Sequence, residues 1–312
     1  MRISRTIVTL AGLLIAGSAA AQDYPSRAVN MVIPFPPGGN TDLMARALQP
    51  ELAKALGQSV VVVNKGGAGG TIGNIEVANA RPDGYTIGLT PNNPLTAQPH
   101  VQKLPYGMDS FKYVCLTYHV PYVVMASPKA PFKTFQEFVT YSKEKPDNLI
   151  YASPGPGTQP HLGILSALSA IKADGVHVPF TGAGPMAQAM LAGTVMAMSE
   201  STAVAKASSL NVLATQTSER IPSLPNVPTM KELGFPSEAF SAGGLVVPVA
   251  TPDAVVAKLE KACADAVASE PYKAATEKLN ATARFLPGKD FRAMFDADST
   301  ANAEAVKKAG IK

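Results

Sequence analysis

The stretch Ile33-Pro34-Phe35-Pro36-Pro37-Gly38-Gly39-Asn40-Thr41-Asp42 follows an apolar run, Val29 to Ile33, and precedes a helical pattern beginning at Leu43. The run reads as a buried strand and the pattern as a helix packed on it. Three prolines stiffen the exit from the strand, and Gly38-Gly39 turns the backbone with no side chain over its amides. Asn40 or Thr41 is expected to cap the helix, with Asp42 in its first turn. Such a unit points free N–H groups outward at the positive end of a helix dipole, which binds an anion without a cationic side chain. A plain strand-to-helix connection uses the same residues, so this stretch alone leaves both possibilities open.

Downstream, Leu43, Met44, Ala47, Leu48, Leu52, Ala55 and Leu56 recur at helical spacing, and Pro50 predicts a kink or two short helices meeting at Gln49. Gly57 ends the pattern, and Ser59 to Val63 reads as a strand covered on both faces. A second glycine turn (64–73), a short helix (74–80) and a strand (85–90) complete a β-α-β-α-β series, the mark of a mostly parallel sheet. Phe111 to Met125 is long, extended and apolar, but Pro121 argues against one uninterrupted central strand. It suits a crossing between two domains.

The opening device then recurs. A strand (149–153) runs into Pro154-Gly155-Pro156-Gly157-Thr158-Gln159-Pro160-His161, and Leu162, Leu165, Leu168 and Ile171 mark the helix that follows. Gly38 and Gly155 stand 117 residues apart, so each half of the chain carries its own strand, Pro/Gly turn and helix. A strand (176–180), the turn 181–185, a helix (186–192), strands ending at Glu200-Ser201 and at Thr215, and a proline-rich loop (221–230) come next. Phe240 to Val249 carries the chain back, and helices over 252–269 and 289–308 finish it. The predicted architecture is α/β and two-lobed, each lobe a mostly parallel sheet flanked by helices. Domain 1 is read as 22–122 with 246–312, and domain 2 as 123–245. In open α/β sheets ligands sit beyond the carboxyl ends of the strands, where all these loops lie, so a ligand cleft between the lobes is expected.

Arg2 and Arg5, the apolar run Ile7 to Ala16 and the small residues Ala19-Ala20-Ala21 read as a cleavable signal peptide over 1–21. Export to the periplasm follows, and the absence of a cysteine at the cleavage point argues against a lipid anchor. The 27 basic residues fall to 25 once Arg2 and Arg5 leave, against 23 acidic ones, so net charge says little about partners. No basic cluster interleaved with aromatics suggests nucleic acid. Four scattered histidines and two cysteines give no metal spacing, and no metal or cofactor is expected. Cys115 and Cys263, 148 residues apart in apolar surroundings, read as buried thiols rather than a bridge, although export permits one.

The ordered set IPFPPGGNTD (33–42), GQSVVVVNKGGAGGTIG (57–73), RPDGYTIG (81–88), KLPY (103–106), SPGPGTQPHL (153–162), HVPFTGAGP (177–185), LPNVPT (224–229) and KELGFP (231–236) resembles the Bug/TctC family, the receptors of tripartite tricarboxylate transporters. The resemblance implies a type II-like periplasmic binding protein that holds a small carboxylate and delivers it to membrane permease subunits. It also implies that the first and second Pro/Gly loops grip the carboxylate through backbone groups and water. Three positions depart from the family pattern: Met196 with Glu200, the run Phe240-Ser241-Ala242-Gly243-Gly244 where a Trp is usual, and Pro50.

Candidate ligand-binding residues are Phe35, Pro37, Gly38, Gly39, Asn40, Thr41 and Asp42 in the first loop, faced by Ser153, Gly155, Gly157, Thr158 and His161 in the second. Asp42 doubles as a first-turn carboxylate with Arg46 as its partner one turn on. His161 is equally a structural histidine bonding the backbone. Gly70 and Thr71, Asn92 and Asn93, and Thr181, Gly182 and Ala183 lie at further strand ends. Glu200 suits an ammonium or hydroxyl on a ligand, or a buried hydrogen-bond network. Rival functions fit less well. The turn 67–73 places its third glycine one position late for a dinucleotide fingerprint, and neither a GxSxG elbow nor a P-loop GK[ST] occurs. The expectation is a monomeric receptor that does no chemistry, with a ligand sensor as the alternative and a secreted hydrolase behind it.

Overall fold

The computed structural model describes residues 24–308 and 310. The signal peptide read at 1–21 lies outside the described residues. The first part of the chain runs β1 (Val29–Ile33), α1 (Asn40–Leu56), β2 (Val60–Asn64), α2 (Thr71–Ala78), β3 (Thr86–Pro91), the single turns α3 (Asn93–Thr96) and α4 (Gln98–Val101), and β4 (Phe111–Ala126). The middle is α5 (Phe135–Glu144), β5 (Ile150–Ser153), α6 (Gln159–Ile171), β6 (Val176–Pro179), α7 (Ala183–Ala192), β7 (Ala197–Ser201), α8 (Thr202–Ser208) and β8 (Asn211–Thr215). The chain returns through β9 (Phe240–Pro248), α9 (Asp253–Ala268), α10 (Glu270–Lys278), β10 (Thr282–Pro287) and α11 (Gly288–Lys308).

The strands follow the order β2-β1-β3-β9-β4-β7-β5-β6, with β10 and β8 also pairing to β4. Two parallel trios, β2-β1-β3 and β6-β5-β7, are thus joined through antiparallel strands. The fold is the expected two-lobed α/β arrangement. β1 and β3 are buried over most of their length because helices cover both faces of the sheet, which is why most of their residues are apolar.

Contrary to the sequence expectation, β4 runs through Pro121 as one strand. Its partners change there: β9 and β10 flank it through residues 111–121, and β7 and β8 take over from Tyr122 and Val123. Proline sits at the switch, where the amide it lacks belongs to neither ladder's interior. α1 likewise continues through Pro50 as one helix instead of dividing at Gln49.

Cys115 and Cys263 are disulfide-bonded, which corrects the expectation of two free thiols. β4 and α9 pack face to face in one apolar cluster with Val114, Tyr118, Leu259 and Tyr272, and that packing brings the two Cα atoms to 6.6 Å. A second cluster under β5 and α6 centres on Phe132, Phe138 and Ile164, so each lobe has its own core.

Candidate functional site

The first loop is built around Asp42. At the third position of α1 its carboxylate reaches back to accept the Gly38 amide (2.9 Å), and it also accepts from Asn64 Nδ2 (2.9 Å) and Arg46 Nε (3.0 Å). Burial works to raise the Asp42 pKa, but these three hydrogen bonds and the Arg46 charge outweigh it and leave the acid below its ordinary value. Asp42 therefore faces the loop it holds together, with Arg46 as the partner foreseen in the sequence.

The helix is capped by Gly39 in extended conformation, not by Asn40 or Thr41 as expected, because the Asp42 reach-back already fixes the turn. The first intrahelical bond runs from Leu43 N–H to Gly39 C=O, so the amides of Asn40 and Thr41 lie outside the helical ladder. The two side chains are freed for the cleft.

The second loop is tied differently. Thr158 precedes α6 and its hydroxyl donates to Gly155 C=O (2.7 Å), while His161 Nδ1 accepts the Gly157 amide (3.0 Å). Ser153 Oγ pairs with His177 Nε2 at 2.6 Å, and the His161 and His177 rings stack with centroids 4.1 Å apart. Burial, followed by the charge of His177, pushes His161 down to about 4, so it is neutral and able to accept at ordinary pH. The first bond within α6 is Leu162 to Thr158, which leaves the Gln159 amide unspent. A third helix start joins these two: α7 begins at Ala183, where a β-carbon on Gly39 would stand 3.8 Å away.

Between these three helix starts lies a cleft of about 490 Å³ of empty space, mouth included, lined by Phe35, Gly39, Asn40, Thr41, Asn92, Asn93, Thr158, Ala183 and Glu200. All nine are residues singled out in the sequence. Gly70, Gly155 and Thr181 line an adjoining cavity that shares Phe35. Gly70, in left-handed conformation, leaves room for that ring, since a β-carbon there would stand 2.9 Å from Phe35 Cζ. Pro37, Gly38, Asp42, Thr71, Ser153, Gly157, His161 and Gly182 line neither cavity. They build its walls, with Gly157 C=O accepting from Asn93 Nδ2 (2.7 Å) and Thr71 Oγ1 donating to Ala68 C=O (3.0 Å).

Sequence reasoning missed Pro36, Pro91, Tyr122, Pro154, Gln159, Pro160 and Ser241 in the lining. Gln159 and Pro160 sit inside the quoted second loop. Their position as the first residues of a helix after the Thr158 cap was a usable signal. Tyr122 and Ser241 come from β4 and β9, and Pro91 from the end of β3. These strands lie side by side only once the β3-β9-β4 order is known.

Among the described residues, no lysine, arginine or histidine lines the cleft, and Glu200 is the one acidic group in its lining. Glu200 is almost fully buried on β7, and Ser201 N–H donates to its Oε1 (2.6 Å). Burial pushes its carboxyl up to about 7, against the lowering effect of the Ser201 bond. The phenols of Tyr118 and Tyr122 feel its charge, and both are raised mainly by their own burial.

The sequence profile of the tripartite tricarboxylate transporter family receptor matches residues 44–306. A UPF0065 protein of Bordetella pertussis is 35% identical over 264 residues, covering 83% of this chain and 82% of its own. Among solved structures, the periplasmic binding protein BugD superposes with a TM-score of 0.86 at 33% identity, over 93% of this chain and 99% of its own. MatC from Rhodopseudomonas palustris, solved with bound malate, gives 0.83 at 31% identity over 91% and 100%.

Proposed function

The chain belongs to the tripartite tricarboxylate transporter receptor family, whose members are periplasmic solute receptors and not enzymes, and on that premise we propose that it captures a small carboxylate in the interlobe cleft and hands it to membrane permease subunits. The observation that carries this reading is the meeting of α1, α6 and α7 at one cleft where no described residue of the lining is basic. Backbone amides and three positive dipole ends are then the groups that receive an anion. Phe35, Gly39, Asn40, Thr41, Asn92, Asn93, Thr158, Ala183 and Glu200 touch the ligand or its bridging waters. The remaining loop residues, among them Pro37, Gly38, Ser153, Gly155, Gly157, His161, Thr181 and Gly182, hold those contacts in place.

The chain acts as a monomer exported through its cleaved leader, with lobes of 22–122 plus 246–312 and 123–245 that close on the ligand. The change of partners at Pro121 supports a hinge there. Asn93 to Gly157 and Gln98 Nε2 to Pro156 C=O (3.1 Å) are contacts suited to holding the closed form.

Mass spectrometry of whatever leaves the purified mature protein on denaturation tests the proposal. A stoichiometric small carboxylate supports it. An empty protein that also fails to bind any acid in a calorimetric screen overturns it.

A further inference from the structure

Asn93 Nδ2 donates to Gly157 C=O (2.7 Å) and Gln98 Nε2 to Pro156 C=O (3.1 Å), so one short segment reaches the second Pro/Gly loop twice. Asn93 stands in α3 and Gln98 in α4, each a single turn of four residues. A lone turn fixes more backbone dihedrals than its few hydrogen bonds offset, so it does not hold its shape unaided. Its support comes from the last helix.

Asp298 of α11 gathers three donors on one oxygen. Its Oδ2 accepts from Thr96 Oγ1 (2.6 Å), Asn92 Nδ2 (2.9 Å) and Asn302 Nδ2 (3.0 Å). Asn92 and Thr96 are four residues apart across the α3 turn, so both meet Asp298 from one face. An ionised carboxylate only accepts, which fixes Asn92 with Nδ2 towards α11 and Oδ1 towards the Ala242 amide of β9, 3.4 Å away. Asn302 Nδ2 also donates to Thr96 Oγ1 (3.1 Å), leaving the Thr96 proton for Asp298. Further along, Val306 clusters with Ala97, Val101 and Leu162 of α6. Asp298, Asn302 and Val306 thus make one stripe of α11 along α3 and α4.

Packing alone would not call for a carboxylate here. Asp298 is half-buried and, among the described residues, takes part in no ion pair. Burial raises its pKa above the ordinary value, against the lowering effect of the three hydrogen bonds. Desolvating a charge is costly, and what it gains are charge-assisted hydrogen bonds about twice as strong as neutral ones. Without Asp298, Thr96 can turn to Asn92 C=O (3.0 Å), but the buried Asn92 Nδ2 has no second acceptor among the described residues. The α3 turn would lose its tie to α11 on one side while Asn93 pulls on Gly157 from the other.

We propose that Asp298 is a positioning residue for ligand capture, fixing α3 so that Asn93 meets Gly157 when the two loops come together. This rests on the receptor reading above and adds to it a residue that lines neither cavity.

The test is a mutant cycle read by titration calorimetry on the mature, ligand-stripped protein. Mono- and dicarboxylates of three to six carbons, malate and adipate among them, are screened first, and the acid that binds the unmutated protein most tightly is the probe. Asp298→Ala is expected to weaken it about fivefold, the loss also expected of Asn93→Ala, and the double variant is expected to lose no more than either. A merely structural role would lower affinity by the same factor with or without Asn93. A double variant weakened by about twenty-five-fold, the product of the two losses, therefore overturns the inference, as does an Asp298→Ala protein of unchanged affinity. Should Asp298→Ala not fold, Asp298→Asn keeps the shape and one acceptor oxygen and runs the same cycle. Its loss is expected at about threefold, absent in the Asn93→Ala background, and an unchanged affinity overturns the inference equally. Either overturning result leaves a carboxylate receptor standing. Failure of every acid to bind an unmutated protein that melts cooperatively overturns the receptor reading and this inference together.

Discussion

Asn93 at the start of α3 donates its side-chain amide to the carbonyl of Gly157 in the second Pro/Gly loop, 2.7 Å away and buried on both sides. The bond joins the strand-end loop after β3 to the turn before α6, so it exists only while the two loops are together. Asn93→Ala is expected to remove about 1 kcal/mol from the closed arrangement and weaken carboxylate binding about fivefold. The melting temperature should stay nearly constant. Calorimetry with small-angle scattering checks this, and an unchanged affinity would mean the bond does not contribute to closure.

Asp42 should matter to stability more than to binding. Asp42→Ala strands the Gly38 amide and breaks the bonds to Asn64 and Arg46, although Asn64 Nδ2 keeps Phe35 C=O and the Arg46 guanidinium reaches solvent. A loss of about 2–3 kcal/mol is expected in urea unfolding. Because the folded carboxyl sits below its ordinary value, the wild-type contribution is present above about pH 4 and fades as pH falls through the folded value. The variant should lack that dependence.

His161 gives a pH dependence in a different window. Its folded pKa is near 4 against about 6.5 for an unfolded histidine, so between these values the unfolded chain takes the proton more readily. Stability is full above about pH 6.5 and falls as pH drops towards 4, by at most about 3 kcal/mol from this residue. Protonation also removes the acceptor for the Gly157 amide. Urea midpoints across pH 4–7 should show the slope, and His161→Gln should flatten it. An equal slope in the variant would assign it to other groups.

Reduction of the Cys115–Cys263 bond should be costly. It closes a 148-residue separation, and the chain-entropy account gives about 5 kcal/mol for a loop of that size. Cys115→Ala with Cys263→Ala is expected to lose about 2–5 kcal/mol of stability with ligand affinity intact, since neither residue lines the cleft. A melting curve and a binding isotherm on the same sample decide it.

The parts of the site legible in the sequence were those where one short segment carries the whole device. At 33–42 and 153–161, strand, proline, glycine and helix start are contiguous, and both loops were placed correctly, although α1 begins at Asn40, three residues before the Leu43 read from the sequence. Which residue caps and which faces the ligand was not legible, because Asp42 reaches backward and frees Asn40 and Thr41. Tyr122 and Ser241 escaped notice because their neighbourhood is set by the pairing of β4 with β9 across more than a hundred residues. The disulfide escaped for the same reason: the approach of α9 to β4 is a product of tertiary packing and leaves no local pattern.

The disulfide also makes the molecule a covalent ring with two tails. Every residue from 115 to 263, including the whole of β5 to β8 and both passages between the lobes, lies within that ring. A single protease cut anywhere inside it opens the ring without separating the pieces. The nicked protein would travel as one band until reducing agent is added, its two pieces held together by the Cys115–Cys263 bond. One severed peptide bond inside the ring need not part the chain.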